Sequence, residues 1–395
     1  MRDRRRATGD PAASRRDKLQ TLTRAEARRL LVSHLGLTRS LGRGARGTRA
    51  VLERLRQIQL DPLDVIGTNA DLVVMARADG VGRGDVWRHL FPRHAFEHFA
   101  KERCILPARA FPFYRQRGHA AQAPWWRHAE REERVPPQLI DAVLAEVRER
   151  GPVAARELTD HGAVAPIDWS GWKGTAKATS MALEILWTRC DVVVAGRTAN
   201  GGKLYDVPER ALGAEIAAAQ PGEDFDRWAV RERVAAAGLL SRAGGSNWSM
   251  LSQARGSGVV EEMIAEGELV EVEIEETTRR YLAVPAFLEP RRVRYDDRVR
   301  ILGPLDPLLW DRALVRHIFD FDYVWEVYKP ADQRKWGWYV CPLLHRDRLI
   351  GRIDAQTGKL WVEGREVDRA AIRTALAGVA FSKRRAGSRT RPGRT

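Results

Sequence analysis

The chain has 395 residues, 44% of them hydrophobic, with 13 Trp and a formal net charge of +15. That is too long for one ordinary core and apolar enough to build two to four. No run of about 18 apolar residues is present, so a membrane-spanning helix is excluded. The opening MRDRRRATGDPAASRRDK has charge but no apolar h-region, so no secretory signal is expected.

The excess charge is concentrated at the ends. Residues 1–18 hold seven Arg/Lys against three Asp, and residues 382–395 (SKRRAGSRTRPGRT) hold six Arg/Lys and no acid. Both read as disordered basic tails suited to weak, salt-sensitive contact with nucleic-acid phosphates. Cys104, Cys190 and Cys341 are an odd, scattered trio. They predict neither a metal cluster nor a disulfide framework, and they fit a reducing cytosol.

In chain order, Thr23-Arg24-Ala25-Glu26 has the capping-box pattern, and Leu30, Leu31 and Leu35 continue it at helical spacing. The Gly/Arg-rich run Leu41–Gly47 breaks that helix. A second amphipathic helix is predicted over Thr48–Gln59, with Val51, Leu52, Leu55 and Ile58 on one face. An apolar segment follows at Leu72–Met75, then an aromatic-rich stretch over 86–116 that reads as helical in parts. Residues 118–137 read as a polar connection docked by Trp125 and Trp126.

An internal repeat comes next. Its first copy has a helix over Gln138–Arg150, a short helix over Ala154–Leu158 and a helix over 173–189. A strand pair, Asp191–Gly196 and Lys203–Val207, closes the copy. The second copy opens with Arg227–Ala237, has short helices around Asn247–Gln253 and Gly258–Glu266, and ends in strands Leu269–Glu275 and Arg279–Val284. Three helices and a two-stranded hairpin is the order of a winged helix, a common DNA-docking module. The N-terminal region reads as a third copy with a less plain wing.

Residues 295–365 are strand-rich. Trp336, Trp338 and Val340 alternate with Gly337 and Tyr339, and Leu349–Asp354 and Lys359–Glu363 form a hairpin, which suits a small barrel or curled sheet. A closing helix is predicted over 366–381. The expected fold class is α+β, with tandem winged helix-turn-helix modules around a small C-terminal β-barrel. The expected boundaries are 1–18 (tail), 19–135, 136–215, 216–294, 295–381 and 382–395 (tail).

The chemistry concentrates at Gln59-Leu60-Asp61, just before Pro62. A residue preceding proline is pushed out of the α region, and in an extended stretch residues i and i+2 share a side. An amide and a carboxylate on one side can hold a water and oppose a developing positive charge, as hydrolysis of a sugar–base bond requires. A solvated Asp-Pro turn at a helix end is the plainer reading of the same three residues.

On a distributed set of motifs the chain resembles the winged-helix DNA glycosylases that repair interstrand crosslinks, the YcaQ/AlkZ type. The motifs are Gln59-Leu60-Asp61, Lys101–Phe111 (KERCILPARAF), Gly151-Pro152-Val153, Gly171-Trp172-Lys173 and, most specifically, Ile301–Ala355. The last includes Pro304-Leu305-Asp306-Pro307, Trp310-Asp311-Arg312 and Lys335-Trp336-Gly337-Trp338. The resemblance implies a glycosylase acting on duplex DNA with alkylated or crosslinked bases, without a metal or other cofactor, as a monomer in the cytoplasm and at the nucleoid. No catalytic lysine for Schiff-base chemistry is evident in the sequence, so a monofunctional enzyme is expected.

It also implies a cationic N7-alkylpurine as leaving group. Such a base departs neutral, so one carboxylate can serve where ordinary glycoside hydrolysis uses two. Asp61 would stabilise the sugar cation and act as base, and Gln59 would orient the water. Gln57-Ile58-Gln59 fits the family's alternative motif, offset by two. The chain departs from the family at Lys101-Glu102, where His-Glu is frequent. Lys173, Lys177, Arg334 and Lys335 are the candidate phosphate contacts. Trp336 and Trp338 read as packing, and His317 and His345 as structural. The rival reading is a winged-helix transcriptional regulator without catalysis, since a fold licenses no activity.

Overall fold

The computed structural model describes residues 19–119, 128–167, 174–290, 292–363 and 369–377. Both basic tails, Trp125, Trp126 and Lys173 lie outside those ranges. Strand β1 (Leu19–Leu22) leads into a helix at Arg24–His34, and the predicted capping box is formed. Thr23 Oγ1 accepts from the Glu26 amide at 3.1 Å, and the Glu26 carboxylate accepts from the Thr23 amide at 2.9 Å.

The second helix spans Gly44–Leu55, so it starts and ends four residues earlier than its periodicity predicts. Arg56, in the left-handed conformation at φ 62°, ends it. The chain then extends as β2 (Ile58–Gln59). The Gln-Leu-Asp motif therefore starts on a buried strand rather than a helix end. Helix Asn69–Met75 follows, capped by Thr68.

Residues 86–116 contain a hairpin that helical periodicity hides: β3 (Ala95–Ala100) and β4 (Glu102–Pro107). Both faces are largely buried, so the polar alternation that marks a half-exposed strand is missing. The sheet order is β2-β4-β3, with Gln59 opposite Cys104.

Downstream, β5 (Val153–Ala154) joins β8 (Val193–Arg197) and β9 (Lys203–Asp206) in a sheet ordered β5-β9-β8. A separate pair, β6 (Ala163–Val164) and β7 (Ala176–Lys177), precedes the helix Ala178–Thr188. Helix Phe225–Ala237 opens the next unit, which contains β10 (Leu240–Ser241), β11 (Val270–Ile274) and β12 (Arg280–Ala283). Its sheet is completed by the first strand of the chain. β1 runs parallel to β11, pairing Leu19 with Glu271 and Leu22 with Ile274.

The C-terminal strands are β13 (Val299–Ile301), β14 (Val340–His345), β15 (Arg348–Asp354) and β16 (Leu360–Val362). They form an open antiparallel sheet in the order β13-β14-β15-β16, which corrects the expected barrel. Closure would require β13 to pair with β16, and both are only three residues long. One face is covered instead by helix Arg369–Ala377, whose Ile372 is buried among Val299, Ile301, Tyr339 and Leu343. Trp336 and Trp338 precede the strand they were expected to occupy. The architecture is mixed α+β.

One buried ion pair joins the N-terminal region to the loop after β13. Arg77 Nη1 and Nη2 donate to Asp306 Oδ2 and Oδ1 at 2.7 and 2.9 Å, with both side chains fully buried. Arg77 Nε also donates to the Leu35 carbonyl at 2.6 Å, and Asp306 Oδ1 accepts from the Leu308 amide at 3.0 Å. Removing one member leaves the other charge buried and unpaired, at a cost of about 3–5 kcal/mol. Asp306→Ala is expected to lose that much stability in urea or thermal denaturation, whereas Arg77→Met combined with Asp306→Leu should lose far less. A single variant that unfolds like the wild type would contradict this.

Candidate active site

The segment Gln57–Asp61 runs between two clefts. Ile58 and Gln59 are held by β4, and the Leu60 amide donates to the Arg103 carbonyl at 2.8 Å. On its other side, the fully buried Asn69 donates through Nδ2 to the Gln59 carbonyl at 2.8 Å, and its Oδ1 accepts from the Leu305 amide at 3.0 Å. Gly303 makes room for this bridge: a Cβ there would come 2.5 Å from Asn69 Oδ1. The backbone of the motif is thus fixed from two directions.

Asp61 lines the larger cleft, of about 1400 Å³. One of its oxygens accepts from the Leu63 amide at 2.8 Å, as an Asx turn does. Its other oxygen has no hydrogen bond among the described residues. Burial raises the Asp61 pKa above the ordinary carboxylate value, and the Leu63 hydrogen bond opposes this. The same cleft is lined by Arg83, Arg88, Arg103, Arg197 and Lys203. Several are held by acids. Arg83 donates to Asp64 at 2.6 Å, Arg103 pairs with Glu184 at 3.1 Å, and Arg197 pairs with the buried Glu97 while lying 3.8 Å from the centre of the Trp87 ring. The turn Thr198–Gly201 between β8 and β9 forms part of the wall.

Gln59 is only 7% exposed, and its side chain has a different partner from that of Asp61: Oε1 accepts from Lys101 Nζ at 3.4 Å. Lys101, at the tip of the β3–β4 hairpin, lines the second cleft, of about 420 Å³, together with Asn247, Leu305, Trp310 and Arg312. The structure thus places Gln59 and Asp61 on one short segment but gives their side chains separate hydrogen-bond partners. Gln57 is buried one step earlier in the chain, not on a helix, and its Oε1 accepts from the Lys101 amide at 3.1 Å.

The phosphate contacts expected from sequence are scattered. Lys177 is exposed on β7 and pairs with the exposed Asp160 at 3.3 Å. Arg334 donates to the Lys329 carbonyl at 2.8 Å, and Lys335 is exposed beside the Trp336 ring. None of these three lines the Asp61 cleft. The basic residues that do were missed because they come from three separated stretches of chain. Only Arg197 and Lys203, at the ends of a predicted hairpin, carried a local signal. His317 bonds the Glu275 carbonyl at 2.8 Å, a structural role.

A carboxylate at the wall of a large cleft in which arginines and acids alternate, on an α+β scaffold, is an arrangement that can act on an anionic polymer. The sequence profile of the AlkZ-like DNA glycosylases matches residues 52–380, so the chain belongs to that family. It is accordingly a DNA-repair enzyme, a hydrolase of N-glycosyl bonds, and the regulator reading is not favoured. Its fold is similar to that of the Streptomyces sahachiroi DNA glycosylase AlkZ, with a TM-score of 0.56 at 17% identity over 92% of this chain and 97% of that one.

Arg83→Ala and Arg88→Ala are expected to weaken duplex binding evenly across sequences and to lower the salt slope by about 1 each. Unchanged slopes in anisotropy titrations would take the larger cleft out of the DNA path.

Proposed function

We propose that the enzyme releases cationic N7-alkylated purines from duplex DNA and unhooks interstrand crosslinks carried on such bases. The observation that supports this best is the Asp61 carboxylate, with one oxygen uncommitted, in a cleft walled by arginines. Asp61 would face the sugar, stabilise the positive charge that develops as the base leaves, and take a proton from the attacking water. Gln59 would orient that water. With its Oε1 engaged by Lys101, its Nε2 is the end left to donate. Because the alkylated base departs neutral, no second carboxylate acting as general acid is needed.

In this reading residues 19–135, 136–215 and 216–294 are three winged-helix modules. With the 295–381 unit they present a concave surface to the duplex, and the protein acts as a monomer. The basic tails, with Lys173, Lys177, Arg334 and Lys335, would add phosphate contacts. A base tied to both strands cannot swing out fully, as most glycosylase substrates do. The motif would therefore have to meet the sugar within a nearly intact helix.

The test is release of free base from duplexes carrying N7-methylguanine or a nitrogen-mustard crosslink. Asp61→Asn is expected to lower the single-turnover rate by about 10²–10⁴-fold. The working form of Asp61 is ionised, so activity rises with pH through its folded-state pKa. Burial shifts that acid limb above the ordinary carboxylate range, and the Asn variant should lack it. Equal rates for the two proteins would remove Asp61 from this role. Deleting 1–18 and 382–395 should weaken non-specific binding and flatten its salt dependence; an unaltered slope would show that the tails do not touch DNA.

A further inference from the structure

Lys101 is a buried amine without a counter-charge. Its Nζ meets the Gln59 amide oxygen at 3.4 Å and lies 5.3 Å from the centre of the Trp310 ring, and it forms no ion pair among the described residues. The acids around it are engaged elsewhere. Glu102 accepts from Ser249 Oγ at 2.5 Å, and Asp311 caps helix Arg312–Phe319 through the Ala313 and Leu314 amides. The neighbouring charges of Arg233 and Arg312 are positive. The Cys104 thiol is pushed up to about 12 by burial and stays neutral near pH 7. The contrast is Lys203, which is less buried and is paired with Glu184 at 3.4 Å.

A lysine that is desolvated, with no ion-pair partner and two arginines nearby, is shifted toward its neutral, nucleophilic form. Burial is the largest cause of the lowered Lys101 pKa, and Arg233 and Arg312 add to it while Cys104 and Glu102 oppose it. The amine is also on the wall of an open cleft, one side chain away from the motif.

We infer that Lys101 gives the enzyme a second activity, Schiff-base capture and β-elimination of the abasic sugar left by base release. This rests on the reading that the damaged sugar is handled at the Gln59–Asp61 motif, and it requires the abasic sugar to reach the smaller cleft that Lys101 lines as well as the larger one that Asp61 lines. It would overturn the expectation of a monofunctional enzyme. The neutral Nζ adds to C1′ of the ring-opened aldehyde, and uptake of one proton from solvent with loss of one water gives a protonated imine. A proton then leaves C2′ to solvent, the C3′–O bond breaks, and the 3′ phosphate departs with the bonding pair. Water hydrolyses the imine and returns the free amine.

The experiment uses the full chain and a duplex with a preformed abasic site, so it is independent of base release. Borohydride present during the reaction reduces the imine to a stable secondary amine. The expected result is a covalent protein–DNA adduct that maps by mass spectrometry to Lys101, with nicking 3′ to the abasic site. Lys101→Arg, which keeps the bulk but is fixed as a cation, should lose both, with some loss of melting temperature because its buried charge has no ion-pair partner. Absence of an adduct with wild type, mapping to another amine such as the N-terminus, or undiminished trapping by the Arg variant would each overturn the inference. Should Lys101→Arg fail to fold, the mapped peptide of the wild type decides. Base release measured on N7-methylguanine DNA reports separately on the glycosylase reading.

Discussion

The arrangement of this molecule depends on the Arg77–Asp306 pair. It is bidentate, dry, and tied at both ends to backbone: Arg77 to the Leu35 and Val73 carbonyls, Asp306 to the Leu308 amide. A guanidinium in that position is tolerated only because every strong donor direction finds an acceptor. The pair fixes the loop 303–309 against helix Asn69–Met75. That in turn lets Asn69 reach from Leu305 to the Gln59 carbonyl. The reactive segment has only two residues of strand of its own, so its position is set by contacts from distant parts of the chain.

The two clefts on either side of that segment differ in electrostatics. In the larger one, arginines and acids are interleaved, so each cation is oriented by a partner and partly neutralised. A duplex entering it would exchange some of those partners for phosphates. In the smaller one, Lys101 has an amide and an aromatic face as neighbours, with positive charge beyond them. The first environment suits binding and positioning of a polyanion. The second suits a group whose proton is loosely held. Leu60 and Asp61 line the larger cleft, and Gln59 bonds to the lysine that lines the smaller one. Binding, base release and handling of the product sugar can therefore share one stretch of backbone.

The chain also uses its own beginning as structure. β1 lies beside β11 and covers what would otherwise be an open strand edge, a site prone to pairing with other chains. It connects the N-terminal helix to strands β11 and β12, and Arg24 reinforces the link through the Glu275 carboxylate and the His317 carbonyl. The N-terminal helix, the β11–β12 hairpin and helix Arg312–Phe319 are thereby drawn around the same core, in which Leu31, Tyr281, Phe287 and Ile318 are buried together.

Much of this was legible locally. Thr23 and Glu26 encode a cap through side chains three residues apart. The hairpins at β8–β9 and β11–β12 were marked by strand-forming runs around polar turns. The Gln59-Leu60-Asp61 frame and the Lys101 departure could be read directly from the letters, because sequence records residue identity and short-range spacing. It could not show that β3 and β4 form a hairpin, since burial on both faces removes the alternation. Nor could it show that the C-terminal strands stay open, that β1 pairs with residues some 250 positions away, or that arginines from three stretches line the same cleft as Asp61. Above all it could not show that Lys101 forms no ion pair among the described residues. Whether a charge is compensated depends on which side chains the whole fold brings within a few ångströms of it, and that is a property of the tertiary structure alone.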